Sequence, residues 1–172
     1  SDLFDVEMLR LYAQSQLGAA PALVMLALAI AGGACLWVDV IAIVGWLAVL
    51  GLALAFTHHI VKRFLDLPET EVDVLATRRK FALAEGLQGV LWAMIVVFLL
   101  NDPNPTARTF VLFVLLLIAA MTAMTNAAIP AAVYAGLAPI IVAIIVFLAP
   151  WNGFSNLSLF VMAIGAQAYF II

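Results

Sequence analysis

Six apolar stretches, separated by short polar links, fill most of this 172-residue chain. Each stretch is continuous rather than alternating, and about 20 helical residues cross a hydrocarbon core of roughly 30 Å. Backbone groups in lipid must be satisfied within their own element, so the pattern predicts an all-α, polytopic membrane bundle of six transmembrane helices. The predicted spans are residues 17–36, 40–60, 81–100, 109–128, 131–148 and a sixth that begins near Leu157.

Composition supports a lipid-embedded protein. Apolar residues make up 67% of the chain and charged residues 10%, whereas a soluble domain has roughly 45–50% and about 25%. No soluble core of this size needs so much apolar surface. The sequence therefore predicts the lipid bilayer as the principal partner.

The distribution of basic residues predicts the orientation of the bundle. Short loops rich in Lys and Arg stay in the cytoplasm. Six of the seven basic residues fall on one side of the predicted bundle and one, Arg108, falls on the other. We therefore expect both termini to lie in the cytoplasm. The six are Arg10, Lys62, Arg63, Arg78, Arg79 and Lys80.

Two segments on the basic side stand apart from the spans. Residues 1–16 form either an interfacial helix or the start of a longer first span, because Phe4, Met8, Leu11 and Tyr12 share one helical face. Residues 67–71 are typical of a helix start, with an early proline and acids in the first turn. We expect that helix to continue into the third span over about 30 residues.

The apolar pattern continues to the end of the sequence, at Tyr169–Ile172, without a flanking charge. A chain that leaves lipid normally carries polar or basic residues beyond its last span. We interpret residues 17–172 as a six-helix membrane domain that is truncated at its C-terminus. Its missing partner would be a soluble part that emerges in the cytoplasm.

Glu85 is the most informative polar position, because an acid within a span is costly and by default suggests function. Gln88 and Trp92 follow at i+3 and i+7, so a polar seam along one helix face is one interpretation. In the alternative, Glu85 lies near the interface and reaches Arg78, Lys62 or His58.

His58 and His59 are adjacent at the basic end of the second span. One of them could be a metal or haem ligand or a pH sensor. Neighbouring helical positions point about 100° apart, so the two cannot easily bind one ion. With Cys35 as the single cysteine, the chain cannot supply an ordinary closed metal site. The favoured interpretation is two interfacial histidines, with neither metal nor cofactor.

The remaining polar residues in the spans favour contacts between helices. Asn126 lies near the basic end of span four with Thr122 and Thr125 around it, and we favour a role in holding helices together over a ligand contact. If the bundle binds a ligand, the candidate binding residues are Glu85, Gln88, Trp92, His58, His59 and Asn126. Small residues could let helices approach closely. No catalytic motif occurs, and nothing indicates binding to nucleic acid. The small residues include Gly32, Gly33, Gly45, Gly51, Ala127 and Ala131.

The whole chain resembles the six-span N-terminal input domains of alphaproteobacterial sensor histidine kinases and of related cyclic-dinucleotide signalling proteins. The resemblance implies a bacterial inner-membrane protein in which residues 17–172 are a six-helix sensor or scaffold domain that forms a homodimer and couples to a cytoplasmic output domain. It supplies no ligand. Our hypothesis is that a lipophilic small molecule or a change in the bilayer shifts the spans relative to one another. A small transporter or channel is the main alternative, and a membrane enzyme comes third. The segments that carry the resemblance are EMLRLY (7–12), LATRRK (75–80), GLQGVLW (86–92) and PTARTF (105–110).

Overall fold

A computed structural model describes residues 2–68, 72–148 and 157–171, and every regular element in those ranges is an α-helix. Five helices are long and apolar enough to cross a membrane, and the sixth is shorter. The predicted helical membrane bundle is confirmed to that extent. The predicted loop at 150–156 and residues 69–71 lie outside the described ranges. The helices are α1 (Asp2–Ala34), α2 (Val40–Leu65), α3 (Val74–Leu100), α4 (Pro105–Asn126), α5 (Pro130–Leu148) and α6 (Leu157–Ile171).

Three of the helices begin at a side chain that caps their first turn. Asp39 accepts from the backbone N–H of Ile41 at 2.7 Å, and Asp73 accepts from that of Ala76 at 3.0 Å. Asn104 does the same for α4, directly before Pro105. Each cap satisfies an N–H group that has no partner inside the helix.

The helix boundaries differ most from the predicted ones at the starts of α1 and α3. α1 runs unbroken from Asp2 through Pro21 to Ala34, so residues 2–16 continue directly into the first span. Its 33 residues extend for about 50 Å. α3 begins at Val74 and has 27 residues. Leu67 and Pro68 lie in the link before it, because Asp73 supplies the cap.

α3 is the central helix of the bundle. It packs against α1, α2, α4 and, most extensively, α5. Its most apolar segment is 56% buried, whereas those of the other four long helices are 28–39% buried. The outer helices therefore expose large apolar side chains, as lipid-facing helices do.

Buried apolar side chains form two separate clusters. The main core is built around Trp46, Leu91, Ile118 and Ile140. A smaller cluster lies where the N-terminus of α1, the C-terminus of α2 and the N-terminus of α3 meet. We call it the basic-end core, because most of the Lys and Arg residues lie near it in sequence. It comprises Leu9, Tyr12, Ala13, Val61, Phe64, Phe81, Ile129 and Ala132.

Polar contacts tie the start of α1 to this end of the bundle. Arg78 of α3 pairs with Asp5 at 3.1 Å, and the guanidinium of Arg10 donates to the carbonyl of Leu67 at 3.1 Å. The Arg78 and Asp5 side chains are 43% and 37% exposed, so their pair adds little stability. Its effect is to fix the register of α1 against α3.

α3 and α5 approach each other closely at two glycines. A Cβ atom on Gly89 would overlap the carbonyl oxygen of Gly136 and lie 2.9 Å from its carbonyl carbon. Gly45 and Gly51, which the sequence offered as contact surfaces, have no such neighbour within 4 Å. Small residues at a contact let two backbones touch. The Gly89–Gly136 contact lies one turn from Glu85.

This contact predicts that Gly89→Ala destabilises the bundle. The added methyl group meets backbone, which cannot turn away, so we expect a loss of about 1–3 kcal/mol. Gly86→Ala is the matched control on the same helix, because its Cβ would lie 3.7 Å from the nearest atom, an ordinary contact. Thermal unfolding in one detergent should separate the two variants. Equal melting temperatures would contradict the close approach.

Candidate functional site

Buried polar side chains gather between the two apolar cores. In α1, Gln16 comes after Ala13 of the basic-end core and before Leu23 of the main core. Thr57 likewise lies between residues of the two cores in α2, and Glu85 and Gln88 lie between them in α3. Asn126 ends α4 at this level. We call these five side chains the polar layer, and none is more than 6% exposed.

Glu85 is the centre of the polar layer and is 5% exposed. Its Oε1 atom accepts a hydrogen bond from the Tyr12 hydroxyl at 2.7 Å and another from the Gln16 amide at 2.6 Å. Its Oε2 atom accepts from the amide of Asn126 at 2.9 Å. One carboxyl group thereby connects α1, α3 and α4.

The hydrogen bonds around Glu85 close into a triangle. The Gln16 amide nitrogen also donates to Oδ1 of Asn126 at 2.6 Å, so Gln16, Asn126 and Glu85 all contact one another. Within the described residues, Glu85 accepts three hydrogen bonds and donates none. An ionised carboxylate can accept all three of these bonds, so in that form every donor that faces Glu85 is satisfied. Each member of the triangle fixes the amide orientation of the others.

The partners of Glu85 are neutral side chains rather than cations. The alternative in which Glu85 reaches Arg78, Lys62 or His58 therefore does not describe the structure. Arg78 binds Asp5 instead, and His58 and Lys62 are exposed. Burying a charge without a partner is costly in lipid. Three donated hydrogen bonds offset part of this cost, since bonds to charged groups are the stronger ones.

Gln88 joins a different helix from Glu85. Its amide donates to the hydroxyl of Thr57 at 2.9 Å, and that hydroxyl donates to the carbonyl of Ala53 at 3.0 Å. The seam predicted along α3 therefore divides, because Glu85 binds α1 and α4 while Gln88 binds α2. Together they connect α3 to three neighbouring helices through side-chain hydrogen bonds.

Trp92 lies one turn beyond Gln88 and belongs to the main core. Its ring packs edge-on against Trp46 with centroids 5.6 Å apart. The Trp46 indole N–H donates to the carbonyl of Leu91 at 2.6 Å. Aromatic pairs in this geometry contribute about 0.5–1.5 kcal/mol beyond the apolar area they bury. Trp92 therefore helps to hold α2 against α3 just above the polar layer.

The two histidines lie outside the polar layer and are exposed. His58 lines a groove of about 240 Å³ between α1 and α2, together with Gln16, Thr57 and Gln88. His59 does not line it. In the described residues, no three His, Cys, Asp or Glu side chains come together as a metal site would require.

A much smaller cavity lies on the inner side of Gln16 and Gln88. It is lined by Glu85, Trp92 and Thr122 among others, and its free volume of about 10 Å³ is close to that of one water molecule. Gln16, Leu23 and Gln88 line both the groove and the cavity. These three side chains form the wall between them. A movement of this wall would open Glu85 to the groove.

Sequence reasoning placed Glu85, Gln88 and Asn126 among the candidates but missed Tyr12, Gln16 and Thr57. The sequence did contain a signal for Tyr12 and Gln16. Tyr12 and Gln16 are four residues apart, so they share one face of a helix. Separating residues 1–16 from the first span concealed that this face continues into the bundle.

Comparison of the chain with known protein families, with curated proteins and with solved structures gave no match.

The triangle predicts the effect of replacing Asn126. Asn126→Leu removes one donor to Glu85 and one acceptor from Gln16, leaving buried groups unsatisfied, and we expect a loss of about 1–3 kcal/mol. Asn126→Asp should cost more, because it sets a second carboxylate against Glu85.

Thr125→Val is the control for this prediction. Thr125 is buried beside Asn126, but its hydroxyl donates to Met121 in its own helix. Its loss should therefore change the melting temperature much less. Thermal unfolding of all three variants in the same detergent checks the prediction, and an unchanged Asn126→Leu variant would contradict it.

Proposed function

We propose that this chain is the membrane input domain of a bacterial signalling receptor. In this proposal six helices cross the inner membrane, both termini lie in the cytoplasm, and a homodimer passes the signal to a cytoplasmic output domain. The observation that carries the proposal is the buried Glu85 carboxyl group, held by hydrogen bonds from two other helices. A polar junction of this kind can exist in two discrete arrangements.

The triangle supports a switch because its hydrogen bonds require one orientation of the Gln16 and Asn126 amides, in which every donor faces an acceptor. Protonation of Glu85 would turn an acceptor into a donor, and a ligand group that bound Glu85 would replace one of its present partners. When the new donor or the ligand faces Gln16 or Asn126, that amide must reorient. Gln16 belongs to α1 and Asn126 to α4, so in this proposal the change is passed to one of these helices and shifts it relative to α3.

The groove between α1 and α2 favours a membrane-soluble signal. Its walls include Leu17, Val24 and Leu54, and its polar side chains are Gln16, Thr57, His58 and Gln88. This lining suits a small lipophilic molecule with one polar group. Such a molecule changes the receptor only if it binds one arrangement more tightly than the other.

The alternative is a small transporter or channel, and the buried acid is the feature that favours it. A transport path, however, needs paired broken helices and space for its substrate near the middle of the membrane. In the described part of the chain, α1 and α5 continue through their prolines, and the cavity beside Glu85 holds about one water molecule. These features fit a signalling switch better than a transport path.

The proposed topology predicts the position of reporter fusions. A reporter after Asn104 should be extracytoplasmic and one after Ile172 cytoplasmic, because three spans lie between them. A third reporter after Leu67 serves as the control and should share the compartment of the second. If α6 does not cross the membrane, the reporters after Asn104 and Ile172 will report the same compartment.

The signalling proposal predicts that Glu85→Gln shifts receptor output. The new amide can satisfy Tyr12 and Gln16 but then meets the Asn126 amide donor to donor, and flipping Asn126 moves the conflict to Gln16. At least one hydrogen bond is lost. A loss of about 1.4 kcal/mol in one arrangement shifts a two-state equilibrium tenfold.

We would join the chain through helical linkers to the cytoplasmic half of a histidine kinase and measure autophosphorylation in membrane vesicles. Basal autophosphorylation should change about tenfold in Glu85→Gln and stay near wild type in Thr125→Val. Size-exclusion chromatography checks that each variant is folded. A folded Glu85→Gln fusion with wild-type output would exclude Glu85 from signalling.

A further inference from the structure

A second groove lies between α2 and α3 at the basic end of the bundle and has a volume of about 700 Å³. It is separate from the α1–α2 groove, and the lining residues differ. Its walls are apolar side chains from both helices, including Phe56 and Ile60 of α2 and Leu83 and Leu87 of α3. An open apolar groove on a membrane helix pair is a place where a lipid chain can lie.

Two cations line the same groove. Arg63 comes from the end of α2 and Lys80 from the first part of α3, and both are exposed. Among the described residues that line the groove, none is acidic. Arg78, by contrast, binds Asp5. The described lining residues of the groove thus carry two positive charges, which complement an anion.

The apolar and basic residues are arranged in order along the two helices. Phe56 precedes Arg63 by seven residues on α2, and Leu87 follows Lys80 by seven residues on α3. Seven helical residues extend for about 10 Å. α2 and α3 run in opposite directions. On both helices the apolar residues of the groove therefore lie on the same side of the cation, the side nearer the main core. A phospholipid has this order, with a charged headgroup followed by an acyl chain.

We infer that this groove is a binding site for an anionic phospholipid. The lipid phosphate binds Arg63 and Lys80, and an acyl chain lies along Phe56, Ile60, Leu83 and Leu87. Basic pockets between membrane helices bind anionic headgroups because the attraction adds to burial of the chain. The site is independent of the proposed signalling role, since it uses none of the polar layer.

Native mass spectrometry of the purified chain tests this site with phosphatidylglycerol and phosphatidylcholine as probes. We expect one phosphatidylglycerol to be retained per chain and phosphatidylcholine to be lost. The double variant Arg63→Gln/Lys80→Gln should bind phosphatidylglycerol about 30-fold more weakly, from two basic contacts near the surface.

The matched control is Lys62→Gln/Arg79→Gln. It removes the same charge from neighbouring exposed positions that do not line the groove, so it should bind phosphatidylglycerol as wild type does. Equal weakening in both double variants would mean a diffuse surface attraction and would overturn the site.

A second pair of variants tests the apolar half. Leu83 and Leu52 are 75% and 72% exposed, but only Leu83 lines the groove. Leu83→Asn should weaken retention of phosphatidylglycerol, and Leu52→Asn should not.

Displacement by glycerol phosphate at the same concentration would indicate a site for a soluble phosphate. A lipid-free dimer that is lost in Arg63→Gln/Lys80→Gln would indicate a second copy in the groove. Either result would overturn the proposal.

Discussion

The burial of the Glu85 carboxyl group is the constraint on which the arrangement of the other helices depends. A buried carboxylate without partners is costly, and α3 alone cannot supply donors to its own side chain at this depth. The donors must therefore lie on other helices. Tyr12 and Gln16 lie on α1, and Asn126 lies on α4. The positions of these two helices around α3 are set by this requirement, and the glycine contact with α5 follows one turn further along α3.

The apolar cores and the polar layer contribute in different ways. Lipid is as apolar as a leucine side chain, so apolar contacts between membrane helices give packing but little selectivity among neighbours. A hydrogen bond between two helices in a membrane is worth only about 1 kcal/mol, yet it has one correct geometry. The closed triangle of Glu85, Gln16 and Asn126 therefore specifies register more than it adds stability.

The surfaces of the bundle connect this interior to the membrane. α2 borders both described grooves, one shared with α1 and lined by Gln16, and the other shared with α3 and lined by Arg63 and Lys80. Thr57 on α2 also holds Gln88, which forms part of the wall beside Glu85. A shift of α2 would therefore alter both the α2–α3 groove and the Gln88 contact.

The sequence alone was sufficient for the helical membrane class, because long apolar runs have few alternatives in lipid. It also singled out Glu85, Gln88 and Asn126, since polar residues within spans are costly and seldom accidental. Their partners depended on tertiary structure. Spacing along one helix shows which residues share a face, but not which helix that face meets, so Gln88 was grouped with Glu85 although it binds Thr57. Gln16 and Tyr12 lie 69 and 73 residues from Glu85 in the chain, and only the packing of α1 against α3 brings them to the carboxyl group.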